Sequence, residues 1–226
     1  RMRAPIGLVG TLCSAGTTML TLIQAPFATD KNAASETAWR LAARASSIDG
    51  GGEASLIMEK GEPASLSIPG CAPVVVNAGQ SGYFRTLYPP AQLARLRTAL
   101  AEVQEIDQLG LLSDALALGS RGIMPATSYL DFAGYLPPES DPLIWSLVAR
   151  RLAAIDRVFD GSPEQADWRK LARARIEPQF ARVGWTAKPG QTEVAAILRE
   201  SLIASLGVLG DEPLIAEATG RFEREA

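Results

Sequence analysis

Tyr83-Phe84-Arg85-Thr86-Leu87-Tyr88-Pro89-Pro90-Ala91-Gln92-Leu93-Ala94-Arg95-Leu96 is where the chain changes character. Up to Tyr88, apolar and aromatic residues come in short runs with a period of two, the spacing of a strand that buries one face. After Pro89-Pro90 the period becomes about 3.6, and Leu93, Leu96, Leu100 and Val103 share one helical stripe. The reading is a β domain over residues 1–88 and a helical domain over 89–226.

Upstream of the switch, residues 18–22 alternate, with Leu20 and Leu22 on one face. Residues 39–43, 54–58, 64–68, 74–76 and 83–88 read as further strands. Lys60-Gly61-Glu62-Pro63 has the composition of a hairpin turn between two of them. Asp49-Gly50-Gly51-Gly52 reads as a loose connection, since glycine there costs backbone entropy and offers nothing to pack. Six or so short strands at this spacing predict an antiparallel β-sandwich, whose two inner faces bury each other.

Downstream, Leu109, Leu112 and Leu116 form a second stripe, stopped by Gly122 and Pro125. Asp141-Pro142 supplies an N-cap and a proline at the first helical position. The helix it opens buries Trp145, Val148, Leu152, Ile155 and Phe159 and ends at Gly161. Ser162-Pro163-Glu164-Gln165 has capping-box spacing. Trp168, Leu171 and Phe180 follow, with Pro178 expected to bend or end that helix. Val194, Ile197, Leu198, Leu202 and Leu206 mark another. Residues 211–226 read as a helix without a following partner, as though an array had been cut. Short links favour antiparallel neighbours, so the helices form an α-solenoid-like array of HEAT or armadillo type, or a compact bundle.

Composition narrows the chemistry. The 226 residues are 47% hydrophobic and 21% charged, enough for a sizeable core. The absence of histidine excludes Ser-His-Asp and Cys-His units and histidine-ligated metals within this chain. Carboxylate, lysine or serine chemistry stays open. Lys and Arg total 22 against 25 for Asp and Glu, so no basic excess points to nucleic acid. No apolar run is long enough to cross a bilayer. Arg1-Met2-Arg3 followed by an apolar stretch to Cys13 faintly suggests a lipoprotein leader. Leu12, Pro5, Gly7 and Gly10 count against it, and an internal cut of a longer protein is the favoured reading. Cys13 and Cys71 both fall in the sandwich; two separate buried thiols are favoured over a disulfide. Glu102 and Glu105 read as a solvated helix face. Trp39, Trp145, Trp168 and Trp185 read as dispersed core residues.

Asn77-Ala78-Gly79-Gln80-Ser81-Gly82-Tyr83-Phe84-Arg85-Thr86-Leu87-Tyr88 carries the most information. Gly79 and Gly82 permit a tight reversal between 74–76 and 83–88. A phosphate-binding loop is disfavoured, because no helix start follows Gly82 and a third glycine is missing. Tyr83, Phe84 and Tyr88 are expected in the core.

This segment resembles the N-x-G-Q-x-G-Y-[FY]-R-x-x-Y signature of the gluzincin zinc aminopeptidases, the aminopeptidase N and puromycin-sensitive aminopeptidase type. The resemblance extends to Leu20-Thr21-Leu22-Ile23-Gln24-Ala25-Pro26-Phe27, to Leu109-Gly110-Leu111-Leu112-Ser113-Asp114-Ala115-Leu116-Ala117-Leu118, and to residues 139–145. Gly184-Trp185, Leu198-Arg199, Gly210-Asp211 and residues 216–222 continue it in the family's order. Pro26 stands where arginine is usual, Ala42 where proline is common, and the stretch at Leu109 lacks the usual arginine. The family's H-E-x-x-H…E zinc motif and its G-x-M-E-N motif are not in this chain.

The resemblance implies the non-catalytic C-terminal part of an enzyme that releases N-terminal residues from peptides. The helical part would cap the active-site chamber and limit substrate size. Catalytic and metal residues in this chain would then be none, and zinc would belong to the parent enzyme's catalytic domain. That domain and peptide substrates are the expected partners, with no nucleic acid and no membrane. The compartment is left between cytoplasm and periplasm. Asn77, Gly79, Gly82, Tyr83, Arg85 and Asp114 are expected to be structural. Arg85 and Asp114 read as a structural ion pair or as two separate backbone-binding groups at the sandwich–helix junction, with contact of Arg85 to a peptide carboxylate as the alternative. The alternative is a free-standing sandwich-plus-solenoid interaction module.

Overall fold

A computed structural model describes residues 5–27, 39–59 and 61–225. Among the described residues seven strands come first: β1 (Pro5–Ser14), β2 (Thr17–Pro26), β3 (Leu41–Ser47), β4 (Glu53–Met58), β5 (Ala64–Pro69), β6 (Val74–Val76) and β7 (Arg85–Leu87). They form a four-stranded sheet in the order β5-β2-β1-β7 and a three-stranded sheet in the order β4-β3-β6. All pairs are antiparallel except β1 with β7, which run parallel with Ile6 opposite Arg85. Period-two alternation decides which residues go inside. Leu20, Leu22, Leu66 and Ile68 from one sheet and Leu41, Ala43, Ala45 and Met58 from the other are buried.

Four sequence expectations change here. Residues 5–14, not read as a strand from the sequence, are an interior strand of the larger sheet. Gly7 breaks the apolar alternation because a side chain there would crowd Phe84, with a Cβ only 3.1 Å from its ring. Strands β4 and β5 are not a hairpin, since β4 pairs with β3 and β5 with β2, so the chain crosses from sheet to sheet between them. The Asp49 to Gly52 stretch is not loose. Asp49 accepts from the Gly51 amide at 2.9 Å and from the Ser47 hydroxyl, and Ser47 donates its amide to Gly52 at 2.9 Å, closing a β3–β4 hairpin. Cys13 and Cys71 are not separate buried thiols. They form a disulfide with a Cα–Cα distance of 5.6 Å, and both residues are exposed. The hairpin register puts Cys13 at the end of β1, and the backbone bond from Gly70 to Gly16 (2.7 Å) brings Cys71 alongside.

Helices follow: α1 (Pro90–Thr98), α2 (Glu105–Gly119), α3 (Thr127–Tyr135), α4 (Pro142–Asp156), α5 (Gln165–Val183), α6 (Glu193–Val208) and α7 (Glu212–Glu225). The change from strand to helix falls between Leu87 and Pro90. The chain divides into two compact units, residues 1–137 and 138–226. In the first, the Leu93-to-Val103 stripe is not one helix. After α1 the chain makes a 3₁₀ turn at Leu100–Glu102 and extends at Val103. Leu96, Leu100 and Val103 are buried all the same, and the Gln108 side chain donates to the Leu100 and Val103 carbonyls. Along α2 the buried apolar face is Leu111, Leu112, Ala115 and Leu118, with Leu109 and Leu116 only half-buried. Helix α3 had no recognisable cap in the sequence and was not anticipated.

In the second unit, Asp141 caps α4 by accepting from the Leu143 amide at 2.6 Å. Ile144, Trp145, Val148 and Leu152 are buried along it. The capping box at Ser162 does not form: the Ser162 hydroxyl is buried without a partner among the described residues, and Gln165 donates to Asp156 instead (3.1 Å). Helix α5 runs through Pro178 rather than ending there. Its packing at Trp168, Ala172, Ile176 and Val183 overrides the one missing backbone bond. Its true end is Gly184, at φ 65°, whose amide donates to Phe180 at 2.8 Å. Arg199 of α6 donates to the free carbonyls of Gly184 (3.0 Å) and Val183 (3.4 Å). Leu171 and Ile197 are exposed, not core. No helix among the described residues is long and apolar enough to cross a membrane.

Candidate functional site at the strand-to-helix junction

The loop between β6 and β7 is built from unusual backbone. Asn77, Gly79 and Gln80 all have positive φ, at 62°, 68° and 51°. Asparagine and glycine tolerate that region better than most residues do. The Asn77 side chain then acts as a substitute strand partner. It accepts from the Gly82 amide at 2.6 Å and donates to the Gly82 carbonyl at 3.0 Å and the Phe84 carbonyl at 3.4 Å. Gly82 admits no side chain, because a Cβ would lie 2.6 Å from the Ala42 carbonyl oxygen.

Helix α2 delivers two carboxylates to this loop. Asp107 and Asp114 are seven residues apart, two turns, and so share a face. Asp107 accepts from the Gly79 amide at 2.8 Å. Asp114 accepts from the Thr86 amide at 2.8 Å and from Arg85 Nη1 at 3.0 Å. Burial pushes both carboxyls up, Asp114 to about 6, against the pull of the amides and of Arg85 on Asp114. Tyr88 also ties the junction together. Its hydroxyl accepts from the Val76 amide at 2.8 Å and donates to the Val76 carbonyl at 3.3 Å, joining the segment after β7 to β6. Burial also raises the Tyr88 phenol, keeping it neutral.

The structure thus brings together Asn77, Gly79, Gly82, Arg85 and Asp114. Tyr83 departs from expectation: it is 81% exposed, not core. The strand starts only at Arg85, so Tyr83 sits on a bend outside the ladder. Phe84 and Tyr88 are buried, and Glu102 and Glu105 are exposed. Trp145 and Trp168 are buried. Trp39 and Trp185 are half-buried, and Trp185 packs edge-on against Phe180 beneath Arg221. Asp107 was missed, although its seven-residue spacing from Asp114 was readable.

Chemically, the polar groups here are spent on backbone amides and one ion pair. Such an arrangement cross-braces the loop against α2. Among the described residues the donors do not suit zinc. The sequence has no histidine, and both cysteines are in the disulfide. Among the described residues no three carboxylate, thiol or imidazole groups converge.

Comparison with known proteins adds what geometry leaves open. A family profile described as "ERAP1-like C-terminal domain" matches residues 73–226. That stretch includes β6, β7 and α1 to α7. Aminopeptidase M1-A of Oryza sativa subsp. japonica is 30% identical over 153 residues, 66% of this chain and 17% of that protein. Aminopeptidase 2 of Candida albicans is 28% identical over 153 residues, again 66% and 17%. Aminopeptidase M1 of Arabidopsis thaliana is 28% identical over 158 residues, 68% and 18%. The matched stretch is therefore less than a fifth of each relative's length.

Proposed function

Because the chain belongs to the ERAP1-like C-terminal domain family, we propose that it is the non-catalytic C-terminal part of a zinc-dependent aminopeptidase. Its helices cap the active-site chamber and limit substrate size. Residues 1–88 act as a strut and residues 89–226 as the cap. The family match over residues 73–226 carries this reading, and the aminopeptidase names of the much longer relatives support it. In this reading zinc belongs to a catalytic domain elsewhere in the polypeptide, because the donors among the described residues do not suit it. The residues of this chain then orient and exclude, and break no bond. Arg85 is half-buried beside Asp114 and serves as the junction's brace, with contact to a peptide carboxylate as its second role.

Two measurements test this. An antibody to the chain should detect in source cells a polypeptide well above 24.0 kDa; a band at that mass would favour a free-standing module. The complete gene product should release N-terminal residues from short peptides and spare folded proteins. A version lacking residues 89–226 should lose that discrimination. Unchanged discrimination would remove the size-limiting role.

A further inference from the structure

Helices α1 and α3, with the segment between β7 and α1 and residues 123–125, border a half-open cavity that the cross-brace does not use. Its volume is roughly 420 Å³, and Tyr88, Leu93, Met124 and Phe132 supply much of its apolar wall. That size and lining are those of pockets that take small ligands or side chains. Arg97 of α1 and Asp131 of α3 are part of its lining, with Nη1 3.0 Å from Oδ2. The two side chains are 30% and 47% exposed, so the pair is open to solvent. The Arg97 guanidinium also lies 5.4 Å from the centre of the Tyr135 ring. Its Nε is buried and has no acceptor among the described residues, an uncompensated donor.

A largely apolar cavity therefore carries in its lining a donor and an acceptor held side by side. A peptide group offers the complement, one C=O and one N–H. A bare hydrocarbon would fill the space and leave the pair unused. A free carboxylate would meet Asp131, and a free ammonium would meet Arg97; a neutral amide meets neither objection.

We propose that this cavity binds a large aliphatic or aromatic side chain of a peptide, whose own peptide group is held by Arg97 and Asp131. The inference rests on the peptidase reading only for the source of the peptide.

The 226-residue chain, labelled at its four methionine methyls, tests it by NMR. Met124 lines the cavity, whereas Met58 is buried in the sandwich and Met19 lies on β2. N-acetyl-leucine methylamide should shift Met124 saturably and leave Met19 and Met58 in place. N-acetyl-alanine methylamide should bind at least about tenfold more weakly, because it buries less apolar area. Isopentanol, with the same apolar end and no peptide group, should also bind more weakly. Ala94→Phe, which fills the cavity from α1, should abolish the shift while circular dichroism stays unchanged. Arg97→Gln should weaken the leucine amide several-fold and leave isopentanol unaffected. A Met124 signal that does not move, or equal affinity for the alanine amide or isopentanol, would overturn the proposal. None of those results alters the size-discrimination experiment, so the two readings fail separately.

Discussion

Asp114 holds its proton more tightly in the folded chain than in the unfolded one. Its carboxyl is pushed up to about 6 by burial, against an ordinary value of about 3.9. Between those values the folded state binds more protons than the unfolded state. Stability therefore falls as pH rises through that window. The Thr86 amide and Arg85 reduce the cost without reversing it. The carboxyls of Asp49 and Asp156 are held low instead, by the Ser47 hydroxyl and by Arg169 respectively, so their contributions are lost only below the ordinary carboxylate range. Denaturant unfolding at pH 5 and pH 7 should show the native chain gaining about 1 kcal/mol at the lower pH relative to Asp114→Asn, whose amide does not titrate. Asp107 is present in both proteins and cancels in that comparison. A double difference of zero or of opposite sign would mean that the Arg85 pairing outweighs burial.

Among the elements, β1 and the segment between β5 and β6 are tied covalently. The Cys13–Cys71 bond closes a loop of 58 residues that contains β2 to β5. A crosslink of that span removes denatured-state entropy worth about 4 kcal/mol in the chain-entropy treatment. Both cysteines are exposed, so a reductant reaches the bond without prior unfolding. Unfolding with and without dithiothreitol should differ by about that amount, and a Cys13→Ser/Cys71→Ser double variant should match the reduced chain. Equal midpoints under both conditions would mean that the crosslink constrains nothing. The same scale explains why α5 survives Pro178. One missing amide and a local clash cost about 3 kcal/mol, and a helix 19 residues long with buried Trp168, Ala172 and Ile176 can absorb it.

At the scale of the whole molecule, the family assignment and the donor inventory lead to one expectation for the isolated chain. It should release nothing from aminoacyl chromophore substrates, with or without added zinc. Equilibrium dialysis should find no zinc retained at one equivalent. Turnover, or stoichiometric metal, would place chemistry inside this chain and end the strut-and-cap reading. The sequence determined the switch from strand to helix after Tyr88, the inward faces at Leu20, Leu22 and Trp145, the cap at Asp141 and the membership of the family. Each is a local pattern or an ordered string of residues, and periodicity and capping act over a few neighbours. Tertiary structure decided which strands pair, so that β4 and β5 fall in different sheets. It decided that Cys13 meets Cys71, that Asp107 joins Asp114 at the loop, that Tyr83 turns to solvent, and that Leu93, Met124 and Phe132 wall one cavity. Those outcomes depend on groups far apart in the chain meeting in space, where burial and unsatisfied amides select the partner and no short stretch of sequence specifies it.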